Sequence, residues 1–432
     1  MNDIKDFPAK KKRLTNQGEA KLAELEGIES AVVELGGEGP VAEHRPPGDF
    51  LKILDQVENF EDIPFDVDLI RYFSDEHRAS RRQSAPISFY TPTFKRYQSS
   101  EISIGHKQVW PAVSITGGDC KLQCDHCKAK ILEPMIPART PEALWRVVNE
   151  SIEQGAKGML LTGGSNHRNE VEYGPYYSTI RRIKDEHPEF QIALHTALVN
   201  DDVARSMEQS GIDAAMMDVI GAQETITQVY HLKRTVDDFE ATLEALVKTN
   251  MKVVPHIVIG LHYGELLGEW NALRMLQRHR PDALVLVVVM PQYAPEKRPF
   301  ATPESAKVGR FFIDAREALG ELPILLGCAR PAGIAKIQID AYAVMAGMTG
   351  LAHPAEGVVE LAARLKRKVR IIPSCCSIAV GEEVMNTGSE HVLEPELEDL
   401  LDAGRSAGGG SDSWSGKPTG KFSGIPIVTR SE

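Results

Sequence analysis

Long apolar runs are missing from this sequence. The longest run, ALVLVVVM at residues 283–290, has the length of a strand, whereas a membrane-spanning helix needs about 18 apolar residues. The polar stretch MNDIKDFPAKKKR also lacks the apolar core of a signal peptide. We therefore expect a cytoplasmic protein with no membrane partner.

An excess of positive charge is missing as well. Acidic residues number 61 and basic residues 49, which gives a net charge of −12. This balance argues against binding to a nucleic-acid backbone and suits small-molecule or acidic-protein partners. The basic run at residues 10–13 is the local exception, and we interpret it as a solvated stretch rather than a docking patch.

Cysteine is scarce, with six residues in 432, but its distribution is uneven. Three of the six, Cys120, Cys124 and Cys127, lie in GGDCKLQCDHCKAK at residues 117–130. Cysteines stay reduced in the cytosol, so a cluster of them indicates metal binding or catalysis before disulfides.

Composition divides the chain into four parts. Residues 1–85 mix charged helical patches with turns such as GGEGP, and we expect a helical, partly disordered extension there. Residues 86–353 alternate strand and helix patterns, and residues 354–403 form a C-terminal extension that carries two cysteines. Residues 404–432 are rich in glycine and serine, which predicts a flexible tail.

Short apolar runs alternate with helical patterns through the central part, and helix starts are predicted at Thr140, Thr235 and Thr302. Strand followed by helix, repeated eight times, predicts an α/β fold with a parallel (β/α)8 barrel or a partial TIM-type barrel. A doubly wound open sheet is the alternative. The predicted strands are Ala112–Thr116, Gly158–Thr162, Phe190–His195, Ala214–Val219, Val253–Ile259, Ala283–Met290, Ile324–Gly327 and Gly350–Ala352.

The cysteine cluster follows the first predicted strand in the order C-x-x-x-C-x-x-C. In a barrel, that position lies on the face where catalytic loops gather. Thiolates are the usual ligands of iron–sulfur clusters, and three of them leave one iron of a four-iron cluster open. The spacing resembles the signature of the radical S-adenosylmethionine (SAM) superfamily. The resemblance implies a 4Fe-4S cluster on Cys120, Cys124 and Cys127 that binds SAM and cleaves it when reduced. A three-ligand zinc site or unrelated thiols are the alternatives.

A glycine pair lies after the second predicted strand. LLTGGSN places Thr162, Gly163, Gly164 and Ser165 where the superfamily contacts the methionine part of SAM. Glycines there let a backbone approach closely, although turn formation alone also explains a Gly-Gly pair.

The stretch HIVIGLHYGE, residues 256–265, begins in the fifth predicted strand and continues beyond it. It resembles another motif of the superfamily. The resemblance implies that Ile259 and Gly260 contact the adenine of SAM. His126 occupies the place before the third cysteine where the family often has an aromatic residue, and an imidazole can stack on adenine too.

Four polar side chains lie at or beyond predicted strand ends: His195, Asp218, His256 and His262. Strand ends suit cofactor or substrate contacts. We predict such contacts for His195 and Asp218, and leave open whether the other two are structural.

The remaining cysteines follow later strands. Cys328 lies in LLGCARP, and Cys375 with Cys376 in RIIPSCCSI. If the chain wraps the barrel, all three reach its mouth and provide a second set of three thiols for an auxiliary 4Fe-4S cluster. Steric crowding of adjacent cysteines could make one of the pair a bystander, and Cys328 could instead be a buried small hydrophobe. The candidates for a fourth ligand are Arg330, Ser374 and Ser377.

The motifs between residues 110 and 380 together resemble the biotin-synthase-like branch of the superfamily, which includes the two-protein lipoyl synthases of archaea. The resemblance implies sulfur insertion at C6 or C8 of an octanoyl-lysine, with Cys328 among the catalytic residues because the auxiliary cluster is sacrificed as the sulfur source. The implied partners are an octanoylated lipoyl carrier protein, a paralogous radical SAM enzyme and an electron donor such as ferredoxin or flavodoxin. The chain lacks the C-x4-C-x5-C and Arg-Ser-Ser-Tyr patterns of one-protein lipoyl synthase.

Three other functions stay open. A radical SAM enzyme without sulfur transfer, such as a mutase or methylase, would use the late cysteines for electron transfer or structure; no cobalamin-binding segment is evident in the sequence. Biotin-type sulfur insertion would act on another small acyl substrate. A cluster-bearing scaffold or electron carrier would form no 5′-deoxyadenosine from SAM.

Overall fold

The computed structural model describes most of the central part of the chain. Three segments with predictions lie outside the described residues: the tail at residues 404–432, the basic run at residues 10–13 and the GGEGP turn. The described ranges are 50–74, 86–92, 97, 99–102, 110–294 and 300–378.

Strands and helices alternate along the described chain. The strands are β1 (Ile87–Tyr90), β2 (Ala112–Ser114), β3 (Ile136–Pro137), β4 (Gly158–Thr162), β5 (Gln191–His195), β6 (Ala214–Met216), β7 (Lys252–Val253), β8 (His256–Ile259), β9 (Leu284–Val288), β10 (Ile324–Leu326), β11 (Gly350–Ala352) and β12 (Val369–Ile372). The helices are α1 (Phe50–Leu54), α2 (Val67–Phe73), α3 (Pro141–Glu153), α4 (Tyr177–Glu186), α5 (Asp201–Ser210), α6 (Gln223–Gln228), α7 (Val236–Val247), α8 (Glu269–His279), α9 (Ser305–Leu319), α10 (Ile334–Met345) and α11 (Val358–Arg364).

The described strands pair in parallel and form two sheets. One has the order β3-β2-β4-β5-β6-β7 and the other β12-β1-β11-β10-β9-β8. A parallel bridge between Asp218 and His256 joins them where β6 is followed by the β7–β8 segment. Among the described residues no ladder joins β12 to β3, so the wall is a partial barrel. The predicted α/β fold is confirmed.

Local sequence explains where the helices begin. Thr140 accepts a hydrogen bond from the Ala143 amide at 3.1 Å and precedes Pro141, a good first helical residue. Thr235 and Asp238 form a reciprocal capping box at the start of α7. The prediction at Thr302 is displaced, because α9 begins at Ser305 and has no side-chain cap.

Strand β1 was not predicted. It is a four-residue strand, fully buried between β11 and β12, and such a short run gives no periodic signal. Its partner β12 lies in the segment predicted as a C-terminal extension, so that segment contributes a strand to the barrel wall. The helices α1 and α2 likewise pack on the barrel, against α11 and α9.

The interior of the barrel is lined by small and branched side chains. Ala193 of β5, Ala214 of β6 and Ala352 of β11 are buried in one apolar cluster, together with Cys376. The turn Cys376–Ile378, which follows β12, contacts β6 and β11 inside this cluster. Alanines at these positions leave the space that the turn fills.

A buried ion pair holds the loop after β10. The Arg330 guanidinium donates to the Asp340 carboxylate at 2.9 Å, to the Gly327 carbonyl at 2.6 Å and to the His353 carbonyl at 2.8 Å. The Arg330 and Asp340 side chains are 1% and 0% exposed. A buried cation satisfied in this way fixes the position of its loop, which carries Cys328.

The described helices include none whose length and apolar composition would let it cross a bilayer.

Replacing Asp340 by asparagine should leave the Arg330 charge buried and only partly satisfied. We expect Asp340→Asn to lower the free energy of unfolding by about 3–5 kcal/mol, measured by urea denaturation. The exposed pair of Arg182 with Glu186, at 2.8 Å, is the matched control, and Glu186→Gln should cost about 0–1 kcal/mol. Equal effects of the two variants would contradict the anchoring role.

Candidate active site

A cavity of about 310 Å³ lies at the carboxyl ends of the strands. Side chains from β2, β4, β5, β6, β8 and β9 line it, together with the loops that follow β10 and β12. All six cysteines of the chain border this cavity. Parallel pairing explains the convergence, because it brings every strand's carboxyl end to the same face.

The loop after β2 carries the first three cysteines. Cys124 is buried, with 5% exposure, whereas Cys120 and Cys127 are partly exposed. Backbone hydrogen bonds tie the loop to its neighbours: the Lys121 amide donates to the Ser165 carbonyl at 2.9 Å, and the Asp125 amide to the Val229 carbonyl at 2.9 Å. The thiols are therefore held at the cavity edge by the loops after β4 and α6.

Two of these thiols have opposite pKa shifts. Burial raises the pKa of Cys124 well above its usual value, and the neighbouring thiols add to that effect. Burial also opposes ionisation of Cys127, but the charge of His126 and a hydrogen bond from it lower the Cys127 pKa overall. The loop thus contains a residue, His126, that favours thiolate formation at the third cysteine.

The glycine pair after β4 packs directly on the cysteine loop. A Cβ atom at Gly164 would lie 1.9 Å from the Asp119 carbonyl oxygen and 2.6 Å from the Cα of Cys120. The Gly164 amide donates to the Thr116 hydroxyl at 2.7 Å. Glycine is therefore required at position 164 because two backbones touch. Thr162, Gly163, Gly164 and Ser165 all border the cavity.

His195, Asp218 and His256 form a polar cluster on three adjacent strand ends. One potential ligand atom from each lies within 4.8 Å of the others. His195 Nε2 is 3.6 Å from Asp218 Oδ1, and the two imidazole centroids are 5.3 Å apart. Burial opposes ionisation of Asp218, yet the nearby His195 imidazole and the charges of the histidines lower its pKa to about 2. Burial, assisted by the His195 charge, lowers the pKa of His256 to about 3.

Several buried polar atoms that border the cavity have no hydrogen-bond partner among the residues that the structure describes. They are His126 Nδ1, the Thr196 hydroxyl, the Tyr230 hydroxyl and His256 Nδ1. Such atoms are costly unless a ligand or water satisfies them. The Tyr230 ring also packs on His126, with centroids 5.1 Å apart.

Sequence analysis missed two of these residues. Thr196 follows His195 directly, and its position beyond a strand end is the signal that could have identified it. Tyr230 comes from the loop after α6, which no strand pattern marks. Burial raises the pKa of Tyr230 well above its usual value, so this hydroxyl remains a hydrogen-bond donor.

The predicted contacts on β8 are arranged differently. His256 and Val258 line the cavity, whereas Ile259 and Gly260 do not. Strand residues alternate between faces, so Ile259, fully buried, lies in the core on the other side of the strand. His262 has a structural hydrogen-bond partner, since its Nδ1 lies 3.2 Å from the Thr225 hydroxyl.

The late cysteines border the cavity from loops of the second sheet, which contains β10 and β12. Cys328 follows β10, and Cys375 and Cys376 follow β12. Ser377 donates a hydrogen bond to the Cys375 sulfur at 3.0 Å. The hydrogen bond from Cys376 lowers the pKa of Cys375, although burial opposes this effect. The same hydrogen bond raises the pKa of Cys376, and burial and the nearby Cys328 add to that rise. The three thiols are thus close enough to influence one another.

The structure bears on two of the three candidates for a fourth ligand. The Arg330 guanidinium is committed to Asp340 and to two carbonyls, as described above, which disfavours it as a ligand. Ser377 lies beside Cys375 and remains a candidate.

The residues at the first cysteine loop fit an iron–sulfur cluster with a small-molecule ligand. Three thiols converge on one edge of the cavity, which is the donor set that such clusters use. The unpartnered donors and acceptors nearby suit a polar ligand, and the ionised Asp218 can pair with a cationic one.

Comparison with known families agrees with this geometry. The family model described as "Radical SAM superfamily" matches residues 114–276, so this region is a domain of that superfamily. The superfamily implies a 4Fe-4S cluster and SAM, and the three cysteines of the first loop lie within the matched region.

Particular relatives are distant. Biotin synthase of Cutibacterium acnes is 21% identical over 186 residues, which cover 41% of this chain and 51% of that protein. The alignment therefore spans about half the length of this curated relative. Among solved structures, HydG, a maturase of the FeFe-hydrogenase, has a TM-score of 0.50 at 12% identity and covers 79% of this chain and 80% of its own. Methylornithine synthase has a TM-score of 0.44 at 11% identity, covering 70% and 85%. HydG supports the fold alone.

The contact at Gly164 gives a testable requirement. Gly164→Ala should displace the cysteine loop, which lowers the free energy of unfolding by about 1–3 kcal/mol and reduces the iron bound per chain after anaerobic reconstitution. Gly174 has nothing within 4 Å of an added Cβ, so Gly174→Ala should load iron normally and unfold within about 0.5 kcal/mol of the unaltered protein. Normal iron loading and stability of Gly164→Ala would refute the packing argument.

Proposed function

We propose that this protein is a radical SAM enzyme that inserts sulfur into an unactivated C–H bond, as one component of a two-protein lipoyl synthase. The proposed substrate is an octanoyl chain on a lysine of a carrier protein, with sulfur added at C6 or C8. The observation that carries the proposal is that two sets of three cysteines border one cavity.

In this proposal Cys120, Cys124 and Cys127 hold a 4Fe-4S cluster next to the SAM site. When bound and reduced, that cluster supplies the electron that cleaves SAM to methionine and a 5′-deoxyadenosyl radical. Gly163 and Gly164 let the loop after β4 pack on Ile115 and on the backbone of the cysteine loop, and this edge of the cavity would contact the methionine part of SAM. The remaining polar contacts to SAM come from Asp218, kept ionised by its histidine neighbours, and from the Tyr230 hydroxyl.

The second set of cysteines is the proposed sulfur site. Cys328, Cys375 and Cys376 would hold an auxiliary cluster, which supplies a sulfide when bound. The protein's own contribution is position: the Arg330–Asp340 pair fixes the Cys328 loop, and the turn after β12 is embedded in the barrel interior. Both sets then face the same space, where a radical on carbon would be close to sulfur.

The walls between the two sets favour an apolar substrate. Leu160, Val258, Val287 and Met290 line the cavity, and the lining is mostly apolar. Apolar walls bind a saturated chain by excluding water. We propose that the acyl chain lies along these side chains.

Biotin-type sulfur insertion is the second candidate, favoured by the similarity to biotin synthase. Dethiobiotin and an octanoyl-lysyl peptide discriminate the two activities when each is supplied with SAM and a reductant, because each activity yields its own thiolated product. A partner enzyme, an octanoylated carrier domain and a ferredoxin or flavodoxin donor follow from the lipoyl proposal, as does a cytoplasmic location.

The sulfur proposal predicts a separation of two products. Cys328→Ala should leave 5′-deoxyadenosine formation within about threefold of the unaltered protein. Cys328 lies on a different loop from the first three cysteines, and substitutions at separate sites act nearly independently. The thiolated octanoyl product should fall below detection, because one ligand of the sulfur source is missing. Both products can be quantified by mass spectrometry in one reaction.

Cys120→Ala is the matched control, and it should abolish both products. Persistent thiolation by Cys328→Ala would remove the late cysteines from the sulfur step. Loss of 5′-deoxyadenosine in Cys328→Ala as well would assign them to the first cluster's function instead.

A further inference from the structure

The polar cluster stands directly above the apolar floor of the barrel. Side chains two residues apart in extended chain share a face. By this rule His195 lies above Ala193. In the same way Asp218 lies above Met216, and His256 lies above Val254. Ala193, Met216 and Val254 are buried in the same interior cluster as Cys376, and Cys328 and Cys375 pack against it. The late cysteines therefore lie in or against the apolar floor on which the polar cluster stands.

His195 is the member of the polar cluster with geometry suited to a metal. Its backbone is fixed by register with Met216 of β6, the strand that the Cys376–Ile378 turn contacts. Its Nε2 faces Asp218 Oδ1 at 3.6 Å. None of the described residues hydrogen-bonds to its Nδ1. A carboxylate beside one imidazole nitrogen is the usual arrangement when the other nitrogen binds a metal.

The late cysteines need a further ligand if they hold a four-iron cluster. Three thiolates leave one iron without a protein ligand, and the Arg330 guanidinium is committed elsewhere. Imidazole is an established iron ligand in clusters, since two histidines replace two cysteines in Rieske centres. His195 and Cys375 border the same cavity.

We propose that His195 is the fourth ligand of an iron–sulfur cluster held by Cys328, Cys375 and Cys376, with Asp218 fixing the orientation of its ring. This inference rests on the proposed function, and it assigns His195 to the sulfur site rather than to SAM. A neutral imidazole replaces a thiolate, so the cluster carries one negative charge fewer than a cluster with four cysteine ligands.

The test uses the full-length protein with Cys120, Cys124 and Cys127 replaced by alanine, reconstituted anaerobically with iron and sulfide. The protein carries ¹⁵N-labelled histidine, and pulsed electron paramagnetic resonance of the reduced cluster detects coupling to that nitrogen. We expect a histidine coupling. His195→Ala should remove it, and His195→Cys should keep four irons per chain without it.

Two matched controls identify the ligand. His256→Ala removes the neighbouring imidazole, and Ser377→Ala removes the hydroxyl beside Cys375. Both should retain the coupling. If it disappears in His256→Ala but persists in His195→Ala, the assignment is overturned.

The remaining outcomes separate this inference from the proposed function. A cluster without histidine coupling overturns the fourth ligand and leaves the sulfur proposal intact. A folded triple-alanine protein with no cluster overturns both. Binding of one zinc ion, lost in His195→Ala, Asp218→Asn and His256→Ala alike, would identify a mononuclear site and overturn the inference.

The triple replacement could itself prevent folding, which circular dichroism would reveal. In that case the coupling is measured in the unaltered holoprotein with labelled histidine and unlabelled SAM. The label distinguishes a histidine nitrogen from the SAM amino nitrogen. Coupling in the unaltered protein that is lost in His195→Ala supports the proposal, and its absence overturns it.

Discussion

Parallel pairing of the described strands is the constraint on which the site depends. With every ladder running the same way, the loops after β2, β4, β10 and β12 emerge at one face of the wall. Residues far apart in the chain, such as Cys120 and Cys376, then border one cavity. An antiparallel strand at any of these places would carry its loop to the opposite face, and the two sets of cysteines would not meet.

A second constraint is the amount of space inside the barrel. Ala193, Ala214 and Ala352 have side chains small enough for the turn after β12 to pack among them. Larger side chains would exclude Cys376 from the interior. The same floor supports the polar cluster one level higher, so the packing of the core and the composition of the cavity are linked.

The sequence was informative where the physical signal is local. Apolar runs between helix caps located the predicted strands, and the spacing of the first cysteines indicated their shared loop. Strand β1 was missed because a four-residue buried run has no period. The motif on β8 implied adenine contacts for Ile259 and Gly260, but it did not indicate that His256 and Val258 line the cavity while Ile259 packs in the core. Tyr230 and the commitment of Arg330 depend on tertiary contacts, which no single-chain pattern encodes.

We propose that two separate sets of cysteines each bind iron at one cavity. Diffraction from crystals of the anaerobically reconstituted protein, recorded at the iron absorption edge, locates iron without reference to activity. We expect two separate anomalous peaks, one beside Cys120, Cys124 and Cys127 and the other beside Cys328, Cys375 and Cys376. A single peak at the first set, with the late cysteines ordered and free of metal, would contradict it.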